Sequence, residues 1–311
     1  MTPTDIPRTE PPSTEPAAGI ARRHLLALAA ASVFLPGMAV AAPLPAGEKT
    51  SFVFKPPGYF ADKPLTVHTY KAHSAGADAQ VLIAVHGMER AAAGARNNWV
   101  PFAEKNKLIV LAPEFDAARY PARVFNMGNL AQPDRARWSL QIVEQLFDFI
   151  RAQENLTRPD YILFGHSAGA QYVHRLMLLT PSPRVSLAIS ANAGSYTLPR
   201  YAGPNDNAFP YALDEKTVPP AQLRQVFARK LLVLLGEADT ETDAANLPKA
   251  PEAKAQGANR LERGKRFFAA AQEQAQALGA PFAWQLKTVP GVGHNARGMS
   301  AAAGRLLFGA A

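Results

Sequence analysis

Five short and almost unbroken apolar runs constrain this chain more than any other feature: 81–85 (VLIAV), 108–111 (LIVL), 161–164 (YILF), 185–189 (VSLAI) and 231–235 (LLVLL). Each is too short for a buried helix and lacks the alternation of a half-exposed strand, so each reads as a strand covered on both faces. The runs 52–55, 67–71 (alternating as VHTYK) and 284–289 (WQLKTV) add three more. Between them lie stretches of helical period at 98–106, 138–153, 168–179 and 260–278. The second of these puts Leu140, Val143, Leu146, Phe147 and Ile150 on one stripe. Strands alternating with helices predict an α/β fold, a doubly wound and mostly parallel sheet of about eight strands flanked by helices.

A chain of 311 residues, 48% hydrophobic and 19% charged, can bury a core of that size. The first 41 residues stand apart from it. Residues 1–19 are rich in Pro, Thr, Ser and Glu and carry too little apolar surface to repay ordering. Arg22 and Arg23 then precede an apolar run over 25–40, and Ala39-Val40-Ala41 supplies small residues for a signal peptidase. Residues 1–41 therefore read as a leader plus an export signal similar to the twin-arginine type, and 42–311 as a single domain. An uncleaved anchor is disfavoured because Pro36 and Gly37 interrupt a run already short for a bilayer. The expectation is a periplasmic or secreted protein that meets a membrane only in transit. The net charge of +8 is scattered without like-charged blocks, which speaks for a solvated surface and against nucleic acid as a partner. With no Cys in the chain, disulfides, thiolate metal sites and cysteine nucleophiles are excluded.

In a doubly wound sheet, chemistry gathers beyond the carboxyl ends of the strands. His86-Gly87-Met88 follows VLIAV, Gly165-His166-Ser167-Ala168-Gly169 follows YILF, Gly236-Glu237-Ala238-Asp239 follows LLVLL, and Gly291-Val292-Gly293-His294 follows the last strand. A serine between two glycines at a strand-to-helix junction is either a plain turn or a nucleophile held in a tight corner. The pattern G-x-S-x-G, placed between an apolar strand and a helix and followed by Asp and then His, resembles the α/β-hydrolases over roughly 79–311. The looser similarity is to secreted esterases of the polyhydroxyalkanoate-depolymerase and feruloyl-esterase kind.

That resemblance implies a Ser167, Asp239 and His294 triad, with Ser167 as nucleophile and backbone N–H groups of Met88 and Ala168 as oxyanion donors. Of seven histidines, His24 belongs to the leader, His68 and His73 flank an early strand, and His174 lies two turns beyond Ser167. In the family, the residue in the position of His166 points away from the serine, and His86 suits a brace for the oxyanion loop. The acid is the least determined member, because Glu237, Glu241 and Asp243 share the loop of Asp239.

Three long connections, 114–137, 193–220 and 240–259, leave the active end and are expected to wall the pocket. The middle one, with Tyr196, Tyr201, Phe209 and Tyr211, is the expected cap. Tyr196, Phe209 and Tyr211 join His86 and His166 as candidate pocket residues, or else anchor a Pro-rich loop to the body. There is no H-E-x-x-H, no P-loop and no calcium loop, and no cofactor is implied. The expected activity is hydrolysis of a small-molecule or polymeric carboxylic ester through an acyl-enzyme. A peptidase or amidase on the same triad, or a noncatalytic binding protein on the same fold, is the alternative.

Overall fold

Alternate residues of the central strands face opposite cores, which is why those strands are apolar throughout. In the computed structural model, which describes residues 42–202 and 207–309, the chain runs through β1 (Lys49–Phe54), β2 (Leu65–Lys71), β3 (Gln80–Val85), α1 (Ala92–Asn97), α2 (Val100–Asn106) and β4 (Leu108–Glu114). It continues with α3 (Gln141–Gln153), β5 (Tyr161–His166), α4 (Ala168–Leu179), β6 (Val185–Ala191), β7 (Leu198–Tyr201), β8 (Ala212–Leu213) and α5 (Pro220–Phe227). The last part holds β9 (Leu231–Gly236), α6 (Pro251–Lys254), α7 (Arg260–Ala277), β10 (Gln285–Val289) and α8 (Ala296–Phe308). Eight strands form one sheet in the order β1-β2-β4-β3-β5-β6-β9-β10, and β7 pairs separately with β8. β1 and β2, and β2 and β4, run antiparallel, and the other neighbours in the large sheet are parallel. The export leader read from residues 1–41 lies outside the described residues.

Val81, Ile83 and Val85 of β3 join a core with α3, α4, α5 and α7 on one face. Leu82 and Ala84 join a second core with Trp99, Phe102, Met299 and Ala302 on the other, under α2 and α8. The period-two alternation of a strand thus feeds both cores from one apolar run. At the sheet edge β10 pairs only with β9 and is half open, which matches its mixed composition (QLKTV). Among the described residues, no helix is long and apolar enough to cross a membrane.

Two helix starts near the carboxyl ends of the strands are pinned by asparagine caps. Asn259 caps α7 by accepting the Glu262 N–H at 2.9 Å, and Asn295 caps α8 by accepting the Gly298 N–H at 2.7 Å. Such caps satisfy a main-chain donor left free at a helix start and fix where the preceding loop must end. The loop that α8 terminates carries His294.

Candidate active site

Ser167 joins β5 to α4 with φ 57° and ψ −116°, a conformation in which a non-glycine residue is strained. The turn persists because its surroundings leave no alternative. A methyl group on Gly165 would lie 2.3 Å from the Gly169 carbonyl oxygen, and one on Gly169 would lie 2.1 Å from that of Val85. Only glycine fits at either position, so the two glycines of the motif are demanded by close backbone approach. The Ser167 N–H donates to Ala191 O at 2.9 Å, which ties the corner to β6.

The side chain of Ser167 meets His294, which in turn meets Asp239, so the expected triad is assembled in a line. His294 Nε2 lies 2.9 Å from Ser167 Oγ, and His294 Nδ1 lies 2.8 Å from Asp239 Oδ2. An ionised carboxylate only accepts, so Nδ1 carries the proton and donates to Asp239, leaving the lone pair of Nε2 to accept from the serine hydroxyl. Asp239 is 2% exposed. Glu241 and Asp243, from the same loop, are exposed, and Glu237 accepts from Thr288 Oγ1 at 2.7 Å.

The loops of Asp239 and His294 are knitted by their main chains. Ala238 N–H donates to Val292 O at 3.0 Å and Glu237 N–H to Val289 O at 3.1 Å. Buried Asn192, in a left-handed conformation just past β6, accepts the Gly236 N–H at 2.8 Å and donates Nδ2 to Gly293 O at 3.1 Å. One side chain therefore spans both loops. Sequence reasoning passed over Asn192, although its place at the carboxyl end of a strand was a usable signal.

The other described histidines take different parts. His86 is buried; its Nδ1 donates to Gly87 O at 2.7 Å and its Nε2 accepts the Phe115 N–H at 3.0 Å. Burial lowers its pKa to about 4, so it is a neutral brace for the His86-Gly87-Met88 turn. Gly87 of that turn packs directly on the serine: a methyl group there would lie 3.5 Å from Ser167 Cβ. The His166 ring lies against that of His294, with centroids 4.7 Å apart, and its Nε2 is buried without a hydrogen-bond partner. Burial first, then the neighbouring His294 and Arg260, brings the His166 pKa down to about 3. His174 donates Nδ1–H to Ala170 O and accepts the Thr197 N–H on Nε2, both at 3.0 Å. It holds the segment after β6 against α4.

A cavity of about 360 Å³ opens over Ser167 and His294 and includes His86, Met88 and His166 in its walls. Phe164, Asn246, Asn295, Arg297 and Ser300 also line it. Tyr196, Phe209 and Tyr211 are placed elsewhere. Tyr196 is buried with its ring stacked on Phe267 at 4.4 Å. Phe209 lies 6.5 Å from Trp138, and Tyr211 borders a separate small cavity with Arg200, Asn207 and Arg266. Among the described residues, 193–220 anchors to the body by its aromatics and contributes none to the cavity wall, and of the three long connections only 240–259 supplies a wall residue, Asn246. Phe125 from 114–137 supports His86 from behind, with ring centroids 4.9 Å apart. Among the described residues, no group of three or more His, Cys, Asp or Glu is arranged to hold a metal ion.

No protein-family model matches the chain, and no curated protein does. Among solved structures, poly(aspartic acid) hydrolase-1 from Sphingomonas sp. KT-1 is similar with a TM-score of 0.78 and 36% identity, covering 85% of this chain and 98% of that one. A poly(3-hydroxybutyrate) depolymerase from Bordetella parapertussis has a TM-score of 0.77 and 33% identity, covering 84% and 90%. An S-formylglutathione hydrolase from Agrobacterium tumefaciens, at 15% identity and a TM-score of 0.54 over 83% and 92%, shares the fold.

Proposed function

Since the chain belongs to the α/β-hydrolase superfamily, we propose that it is a serine hydrolase cleaving a carboxylic ester through an acyl-enzyme on Ser167. The observation that carries this reading is the unbroken hydrogen-bonded line from Asp239 through His294 to the Ser167 hydroxyl, at 2.8 and 2.9 Å, opening into a cavity.

In the proposed reaction, Ser167 Oγ attacks the carbonyl carbon while His294 Nε2 takes the hydroxyl proton. The carbonyl oxygen gains negative charge opposite the N–H groups of Met88 and Ala168, the second at the start of α4 where the helix end favours an anion. Collapse of the tetrahedral intermediate breaks the bond to the leaving alcohol, which receives the proton from His294. Water then repeats the sequence: His294 takes its proton, the hydroxyl oxygen bonds to the acyl carbon, and Ser167 Oγ leaves with that proton as the acid is released. Asp239 remains ionised throughout and stabilises the imidazolium. Neutral His166 beside His294 leaves one charged ring in the site rather than two.

A second reading, cleavage of an amide, is favoured by one observation: the neighbour at 36% identity is a hydrolase of poly(aspartic acid), whose backbone is a polyamide. The triad serves either bond, and the leaving amine simply asks more of the proton donated by His294. We also propose export on the strength of the leader in residues 1–41, with mature chain beginning at Ala42, to be read by N-terminal sequencing of periplasmic material.

A fluorophosphonate probe, which reacts with an activated serine, tests the reading. The wild-type protein is expected to label at Ser167 and the Ser167→Ala variant not at all, with turnover of an activated ester reduced by about 10⁶-fold. Equal labelling of the two proteins, or none of either, overturns it. Matched ester and amide substrates, including oligo(aspartic acid), then divide the two bonds.

A further inference from the structure

Arg260 is the first residue of α7 and only 1% exposed, an unusual position for a guanidinium at a helix start. Removing such a cation from water is costly unless it is paired. Its partner is the triad acid: Arg260 Nη1 donates to Asp239 Oδ1 at 3.4 Å, with both side chains 1% exposed. Its Nη2 donates to Asn246 Oδ1 at 2.6 Å, and Asn246 is a wall residue of the Ser167 cavity. The main chain follows the same course, with Leu261 N–H donating to Asp239 O at 3.4 Å. The two carboxylate oxygens of Asp239 are therefore divided, Oδ2 to His294 and Oδ1 to Arg260.

Resting on the serine-hydrolase reading, we propose that Arg260 is a positioning residue of the triad, holding the buried Asp239 carboxylate aimed at His294 while tying the wall loop 240–259 to it through Asn246. Arg260 is not among the cavity-lining residues, so it acts through Asp239 and leaves substrate contacts alone. At 3.4 Å the interaction with Oδ1 is more an ion pair than a short hydrogen bond, and charge is its main contribution. No neighbour duplicates it. Arg263, one turn further along α7, is committed to the carbonyls of Gly257, Gly194 and Pro248. His166 on β5 is neutral, Tyr196 after β6 is a buried phenol with its pKa pushed up, and Glu89 and Arg297 lie out on the cavity wall.

Without the guanidinium, the Asp239 carboxylate loses the partner that holds Oδ1 while Oδ2 meets His294. Arg260→Met is expected to lower kcat on an activated ester by roughly 10²-fold, the cost of a misplaced catalytic group, with KM within about twofold. The acid limb of kcat/KM against pH should be displaced from that of the wild type. Arg260→Lys should restore the limb towards wild type, and Arg266→Met, an exposed cation further along the same helix, should leave it in place. If Arg260→Met does not fold by circular dichroism, Arg260→Gln serves, because it keeps a donor and removes the charge. A folded Met or Gln variant with wild-type kcat and an unmoved limb overturns the inference. A wild-type protein that neither hydrolyses the ester nor labels with fluorophosphonate overturns the underlying reading instead.

Discussion

The loops carrying Asp239 and His294 and the segment 193–220 leave the same end of the sheet, yet they have opposite fates. The first two are poor in aromatics and bound to each other by Ala238 N–H to Val292 O at 3.0 Å and by both ends of the Asn192 amide. They hold their functional side chains toward Ser167. The segment 193–220 is long and aromatic, and its first residues are drawn down onto α4 and α7: Thr197 is held by His174 at 3.0 Å and by Arg175 Nε at 3.2 Å, while Tyr196 stacks on Phe267. Aromatic content in a loop thus measures how much surface the loop can bury against the body, and says little about whether it faces a ligand. What marks the site is a polar side chain within five residues of a strand end, with glycine where backbones cross.

The largest expected effect tests the knitted loops. Asp239→Asn should lower kcat by about 10⁴-fold, because an amide can donate to Nδ1 and so leaves the ring in the wrong tautomer to accept from Ser167. Asp243→Asn, an exposed residue of the same loop, should stay within about twofold of wild type. Similar kcat in the two variants would mean that the knitted loops do not carry the acid.

The same contrast separates what was legible in the sequence from what was not. The central strands of the large sheet were legible because burial on both faces needs runs such as VLIAV and LLVLL, and the corner was legible because Gly165 and Gly169 have no substitute. The pair β7 and β8 was not: Leu198–Tyr201 contains Pro199 and has no apolar run to distinguish it. The short helices α1, α5 and α6 span fewer than three turns and leave no periodic stripe to read. The helix expected from 98 begins at Val100 and that expected from 138 begins at Gln141, an ordinary scatter of helix ends. Arg260 left no local signal at all, since a charged residue at a helix start reads as solvated until tertiary packing buries it.

Stability tests the aromatic segment. Tyr196→Ala should cost about 3–5 kcal/mol in urea unfolding, the usual range for removing a buried ring, with kcat/KM within about threefold once the protein is folded. Tyr196→Phe is the sharper variant. The Tyr196 hydroxyl is buried against Gly264 of α7, and its removal should change stability by no more than about 1.5 kcal/mol. A kcat/KM loss in Tyr196→Ala as large as that of Asp239→Asn would put the aromatic segment at the site after all.

Acid probes both regions at once, with the smallest effect. His86 and His166 are held neutral by burial, at about 4 and about 3 against 6.5 for an exposed imidazole, and His174 is pushed down as well. Between 6.5 and those folded values the unfolded chain binds more protons, so the stabilisation is complete above pH 6.5 and is lost as pH falls toward 3. His86 and His166 each contribute about 2 kcal/mol to the difference in unfolding free energy between pH 7 and pH 5. His166→Phe keeps a flat ring against His294 but cannot take a proton, and should remove about that share of the difference. An unchanged difference in the variant would show that His166 titrates in the folded protein as it does in water, which its packing against His294 and its buried, unpartnered Nε2 argue against.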